Sequence, residues 1–292
     1  MRLPGRNIKL EIEYDGTNFC GWQKQKSKVG TGLAPVRKVG AGRDLSVVSQ
    51  QKKAIQEVIE ETICQIIQER VKLIASGRTD SGVHAKAQIA NFHCLSAINI
   101  NNLHQAINAL LPDDIAVKYI EEVPLDFHSR FNARSKVYRY SILNRKYHSP
   151  ILRNYVYFFR YPLDLKLMRQ EAETITGKHD FKAFCASGSK VKDTVRTVKN
   201  IIIKRFVCPL LTVHCKLIII DIEADGFLYN MARNIAGTLI EIGRGRFKEG
   251  SLKKILLSKN RNLAGPTAPA KGLCLMEVKY CRPARQKKEN LF

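Results

Sequence analysis

Residues 8–14 alternate strictly, with Ile8, Leu10, Ile12 and Tyr14 on one side and Lys9, Glu11 and Glu13 on the other. A period of two with one polar side predicts a strand that shows one face to a core. Over residues 50–69 the period lengthens. Ile55, Val58, Ile59, Ile63, Ile66 and Ile67 recur at helical spacing, with Ser49 as the N-cap. Residues 71–75 read as a short apolar strand. Residues 83–93 read as another, in which Val83, Ala85, Ala87 and Ile89 oppose His84, Lys86 and Gln88. Leu103, Ala106, Ile107 and Leu110 predict a helix over 100–111, and residues 115–120 a closing strand. The order βαββαβ is that of a ferredoxin-like unit.

The second half repeats the order without repeating residues. A strand is predicted at 137–143. A helix follows, carried by Leu165, Met168, Ala172 and Ile175, with Asp164 as N-cap and Gly177 as stop. Two strands (195–206 and 211–224), a helix (227–242) and a last strand (273–280) complete it. The fold class is therefore α+β, two ferredoxin-like βαββαβ units with antiparallel sheets and a cleft between them as the place for a site. The units span residues 1–122 and 123–285, with a basic tail at 286–292. Residues 24–45 fall outside the plan. They are rich in glycine and basic residues, with Asp44 the only acid. A crossover that long is either functional or disordered.

Composition changes the picture in one direction. Lys and Arg number 49 against 26 Asp and Glu in 292 residues, a net charge of +23. Such a surface attracts polyanions, RNA or DNA first among them. Eight cysteines are scattered, none in a CxxC pair or at zinc-finger spacing. They read as thiols of a reducing compartment. The N-terminal stretch shows no apolar leader region and no apolar run is long enough for a bilayer, so a cytoplasmic protein without membrane contact is expected. His84 and His93 read as strand residues, since no partner is spaced for a metal.

The candidate chemistry lies in Gly77-Arg78-Thr79-Asp80-Ser81-Gly82-Val83-His84-Ala85, between two strands. Two glycines permit a tight exposed turn. A cation, a hydroxyl and a carboxylate sit between them. This stretch resembles the catalytic motif of the TruA family of pseudouridine synthases. Other stretches resemble that family in the same order: Glu13-Tyr14-Asp15-Gly16, Gly21-Trp22-Gln23, Asn108 to Pro112, Phe127 to Phe131, Lys136 to Tyr140, Gly177 to Phe181, Met231 to Gly237, and Ala264 to Leu273. Ser81, where alanine is commoner, and the 24–45 insertion depart from it.

The resemblance implies isomerisation of uridine in the anticodon stem-loop of tRNA, at nucleotides 38, 39 and 40, by a homodimer without a cofactor. It implies Asp80 as the catalytic carboxylate, held ionised by Arg233. Tyr138 would lie over the target base and serve in proton transfer. Leu273 would pack on the other face of the uracil, and Arg78 would help extrude the nucleotide. Cleaving an N-glycosidic bond puts positive character on the anomeric carbon, which a carboxylate stabilises or captures. Periodicity alone reads Arg233 as a solvated helix residue, opposite an apolar face of Leu228, Met231, Ile235, Leu239 and Ile242. The basic run at 182–205, together with Arg244 and Arg246, reads as phosphate contacts. The alternative is a non-catalytic RNA-binding protein on the same scaffold.

Overall fold

The computed structural model describes residues 5–23, 52–186, 191–207 and 216–281. The 24–45 insertion, Ser49, Lys190, Cys208, Cys215 and the 286–292 tail lie outside the described residues. The first half runs β1 (Arg6–Tyr14), α1 (Ile55–Ile67), β2 (Ile74–Ala75), β3 (His84–Cys94), α2 (Ile100–Leu110) and β4 (Ile115–Val123). The second runs β5 (Ala133–Asn144), β6 (Tyr157–Phe159), α3 (Leu165–Glu173), β7 (Gly177–Asp180), β8 (Val195–Val207), β9 (Lys216–Ala224), α4 (Met231–Gly243), α5 (Ser251–Ser258) and β10 (Leu273–Tyr280). The fold is α+β with one large sheet.

That sheet has ten strands in the order β4-β1-β3-β10-β5-β9-β8-β7, with β2 added to β3 and β6 to β5. Every pairing is antiparallel except β5 with β6 and β3 with β10. The β3–β10 seam is short, pairing His84 with Cys274 and Ala85 with Leu275. The last strand of the chain thus sits between a strand of the first half and a strand of the second.

The predicted alternation holds in β1, where Ile8, Leu10 and Ile12 are fully buried. They meet Ile55, Ile59 and Ile63 of α1 and Leu103 and Ile107 of α2 in one core. On the other side, Lys118 reaches Glu11 and Lys9 reaches Glu121. In the second half, Tyr140, Ile142, Ile218 and Ile220 are fully buried, and Arg139 and Asp221 form a two-point ion pair across β5 and β9 at 2.7 and 2.9 Å. Asp164 caps α3, accepting from the Lys166 and Leu167 amides.

Several boundaries differ from the sequence pattern. Helix α1 begins at Ile55 because the Gly21 and Trp22 carbonyls accept from the Ile55 and Gln56 amides at 3.1 and 2.9 Å. The loop after β1 supplies these acceptors, and the Glu57 carboxylate accepts from the Ala54 amide at 3.4 Å. Helix α3 ends at Glu173, and Gly177 begins β7 with φ +103°. The 71–75 strand shrinks to two residues. Helix α4 starts at Met231 and is buried all round: Arg233 alone among its thirteen residues is not buried. The one-sided stripe inferred from periodicity is corrected by that packing.

Gly237 shows how tight the packing is. A methyl group there would overlap the Pro266 carbonyl oxygen, and one on Gly265 would press the Thr238 backbone at 2.7 Å. Gly237→Ala should therefore lower stability by about 1–3 kcal/mol through overpacking. Thermal denaturation checks it; an unchanged melting temperature would show that the 264–270 segment yields freely.

Candidate active site

The hairpin that joins β2 to β3 carries Asp80 at its tip. Three features set its shape. The Val83 amide closes the turn on the Asp80 carbonyl at 3.1 Å, and Gly82 takes φ +75°. The Trp22 amide donates to the Thr79 carbonyl at 3.0 Å. Beneath, the Tyr14 and Thr79 hydroxyls meet at 2.8 Å in a buried contact. Gly16 and Gly21 are glycines for a reason: a Cβ on the first would overlap the Val83 carbonyl, and one on the second would lie 2.7 Å from that of Thr79. The stem is held by Ser76 and Gln88, whose side chains meet at 2.7 Å while Gln88 donates to the Gly77 carbonyl at 2.9 Å.

Arg233 approaches from the first turn of α4. Its Nη1 lies 3.3 Å from Asp80 Oδ2 and 2.9 Å from Asn230 Oδ1, and its Nε donates to the Ala268 carbonyl at 2.8 Å. Asn230 adopts the left-handed conformation at φ 60°, which Asn tolerates better than most residues. The guanidinium is thus oriented by a helix cap and by the 264–270 segment before it meets the carboxylate. Two opposing effects act on Asp80. Burial disfavours its charge and raises its pKa, while the Arg233 charge and hydrogen bond pull it down; burial wins, and the net shift is upward.

Tyr138 stands on β5, opposite Leu275 of β10 and Ile222 of β9. It shares a strand face with Lys136 and Tyr140. Its ring meets Phe227 edge-on at 4.8 Å. Burial drives its pKa well above the ordinary phenol, with the neighbouring Tyr14 and Asp80 adding to the rise. Tyr138 is therefore a neutral phenol here, and it forms no hydrogen bond among the described residues. Leu273, 5% exposed, pairs with Tyr140 on the same face as Tyr138. Tyr140 is locked by a 2.9 Å bond to the Pro269 carbonyl, which marks it as structural.

The structure brings Asp80 and Arg233 into contact, while Tyr138 and Leu273 share one sheet face. Arg78, on the same hairpin, is exposed and makes no ion pair among the described residues. His84 is buried, accepting from the Gly16 amide on Nδ1 and donating from Nε2 to the Asn154 carbonyl, so it anchors the hairpin's base. His93 is exposed on β3. Arg244 and Arg246 both pair with Glu241, and Arg244 lies over Tyr161. Sequence reasoning left Tyr14, Thr79, Asn230 and Lys136 without roles. All four lie inside or beside the quoted motifs, but only tertiary contacts tie them to the hairpin or to Arg233. Among the described residues no group of three or more His, Cys, Asp or Glu is gathered to hold a metal, and no helix is long and apolar enough to cross a membrane.

Comparison with known proteins adds to this geometry. Residues 11–132 and 172–281 match the family described as tRNA pseudouridine synthase. "tRNA pseudouridine synthase A 2" of Clostridium tetani is 44% identical over 275 residues, covering 94% of this chain and 99% of its own. "tRNA pseudouridine synthase A" of Caldicellulosiruptor saccharolyticus is 45% identical over 94% of this chain and all of its own. The protein of that name from Acetivibrio thermocellus is 42% identical with the same coverage.

The raised pKa of Asp80 has a direct reading. In a carbon-detected titration its carboxyl should ionise above the ordinary value of 3.8, and Arg233→Leu should move it higher still. A carboxyl whose folded pKa is raised weakens the fold as pH climbs from 3.8 through the folded value. Asp80→Asn should therefore melt no lower than the wild type at neutral pH. A titration below 3.8 would show that Arg233 outweighs burial.

Proposed function

The chain belongs to the tRNA pseudouridine synthase family, and on that premise we propose that it isomerises uridine to pseudouridine in tRNA with Asp80 as the catalytic carboxylate. The observation that carries this reading is the desolvated Asp80 carboxylate at the tip of a rigid hairpin, 3.3 Å from an oriented arginine. The uridine's base must leave C1′, turn, and rebond through C5. As the N-glycosidic bond opens, C1′ becomes positive. A carboxylate kept short of water gains most when that charge appears, so its stabilisation falls on the transition state rather than on the bound substrate. Both capture of C1′ by the carboxylate and elimination through a glycal use the same group. The leaving base is retained, so no second carboxylate is required to protonate it.

The other residues fit around that step. Tyr138, neutral and held edge-on by Phe227, offers a flat face to the uracil. Its raised pKa makes it a platform more readily than a resident base. Leu273 supplies an apolar wall. Arg78, exposed and unpaired among the described residues, fills the space left by an extruded nucleotide, a displacement that requires a few kcal/mol in general. The substrate uridines lie in the anticodon stem-loop on this reading, and the enzyme works in the cytoplasm as a homodimer. The repeated strand order also supports two ferredoxin-like units, residues 1–122 and 123–285. In each, the strands lie 4-1-3-2: β4-β1-β3-β2, then β10-β5-β9-β8. The sheet runs on across the boundary, so the site sits where the two units join.

Asp80→Asn should fold, bind tRNA and make no pseudouridine. Mapping pseudouridine in tRNA incubated with wild type and variant tests it, and a rate within about tenfold of wild type, a barrier change of only about 1.4 kcal/mol, would remove Asp80 from the chemistry. The net charge of +23 adds a second expectation. The logarithm of tRNA affinity should fall linearly with the logarithm of salt concentration as counterions are released. A flat plot would place the basic surface away from the RNA.

A further inference from the structure

Several part-buried cations have a carboxylate partner. Arg6 has Glu122, Lys9 has Glu121, Arg139 has Asp221, and Lys279 has Glu223. Among the described residues Lys136 has none. It is only partly exposed on β5, and its Nζ donates at 2.6 Å to the Ser76 carbonyl, at the foot of the Asp80 hairpin. A Cβ on Gly77 would lie 3.0 Å from that Nζ, so the ammonium sits directly against the hairpin stem. Burial, with repulsion from Arg130 and Arg196 adding to it, brings its pKa down to about 8. Among the described residues neither arginine makes an ion pair. Arg196 donates to the Asp193 and Val195 carbonyls, while the Asp193 and Asp225 carboxylates are engaged by the Val195 and Thr197 amides. Arg130 lies over the exposed ring of Phe131.

Lys136 pairs with Ala224, which pairs in turn with Val198, two residues along β8 from Arg196, so the two cations share one sheet face. An ammonium largely out of water with no carboxylate partner among the described residues is unfavourable in the free protein. Their position suggests what offsets this. Lys136 is two residues from Tyr138 on the same strand face, about 7 Å along β5. Arg196 packs on Gly226, whose neighbour Phe227 supports the Tyr138 ring. Lys136 and Arg196 therefore flank the Tyr138–Phe227 pair.

We propose that Lys136, Arg130 and Arg196 form a phosphate-binding subsite that takes a backbone phosphate of the RNA strand next to the uridine being isomerised. The inference rests on the tRNA-modifying reading above. One of the three Lys136 protons holds the hairpin, and two remain for phosphate oxygens. Binding of the phosphate completes a charge cluster that the protein leaves unbalanced. Because Lys136 also grips Ser76, the backbone that enters the subsite is tied to the hairpin that carries Asp80. Strand and carboxylate are thereby held in a fixed relation.

The test compares tRNA affinity across a salt series for wild type, Lys136→Met, Lys136→Arg and Arg196→Gln, with melting temperature measured alongside. Lys136→Met and Arg196→Gln should each weaken binding about tenfold at low salt. Each should also make the log–log slope shallower by about 0.7–0.9, as follows when one phosphate is no longer neutralised. Lys136→Arg should keep the wild-type slope. A purely structural lysine would change the melting temperature or turnover but not the slope. A slope unchanged in both Lys136→Met and Arg196→Gln, with wild type binding tRNA and forming pseudouridine, overturns the subsite alone. Wild type that neither binds tRNA nor forms pseudouridine overturns the functional reading and the subsite together.

Discussion

The seam between β3 and β10 is the constraint on which the candidate site depends. Two residue pairs, His84 with Cys274 and Ala85 with Leu275, join the first half of the chain to its last strand. Because the pairing is parallel and lies at the start of β3, it draws the Asp80 turn toward the strand that borders β5. Tyr138 then faces it from β5, and the segment before β10 carries the carbonyl that orients Arg233. Parallel strands require a long connection. Here the connection runs through α2, β4 and nearly the whole second half, so Asp80 and Arg233, 153 residues apart in sequence, meet only when the sheet is complete.

Around that seam the electrostatics are unbalanced in the free protein. Asp80 is held where burial resists its charge, with one arginine offsetting part of that cost. Tyr138 is kept neutral. Lys136 is left among cations. Elsewhere the surface behaves conventionally: Arg139 with Asp221 and Lys9 with Glu121 are paired across strands and serve to hold register. The contrast sets paired charges that hold register apart from Asp80, Tyr138 and Lys136, the groups on which the proposed function draws.

Local pattern carried much of the fold. Strand β1, helix α2, the Asp164 cap and strand β10 follow from period and capping chemistry. Helix α5 was missed although Leu252, Ile255 and Leu256 recur at helical spacing; the missed strands have no such signal. Strand β7 is Gly177-Lys178-His179-Asp180, four residues that become a strand only by pairing with Val195–Val198. Strand β6 is three residues long. Helix α4 misled because Ala232, Ala236, Gly237 and Thr238 are too small to register as part of an apolar face; the 264–270 segment lies against Gly237 and Thr238. The site divides in the same way. An acid between two turn glycines is visible in the chain, whereas the isolation of Lys136 from the described carboxylates exists only in three dimensions.

The cap of α1 has a wider consequence. The Cys20 amide bonds the Lys53 carbonyl, and the Gly21 and Trp22 carbonyls bond the Ile55 and Gln56 amides, so the chain on either side of residues 24–51 is zipped together. The same Trp22 holds Thr79. A segment whose two ends are already fastened side by side can grow or shrink at an entropic cost that rises only with the logarithm of its length. The join is thus a tolerant graft point beside the Asp80 hairpin. Evolution or an engineer can exchange what is spliced there while the hairpin keeps its shape.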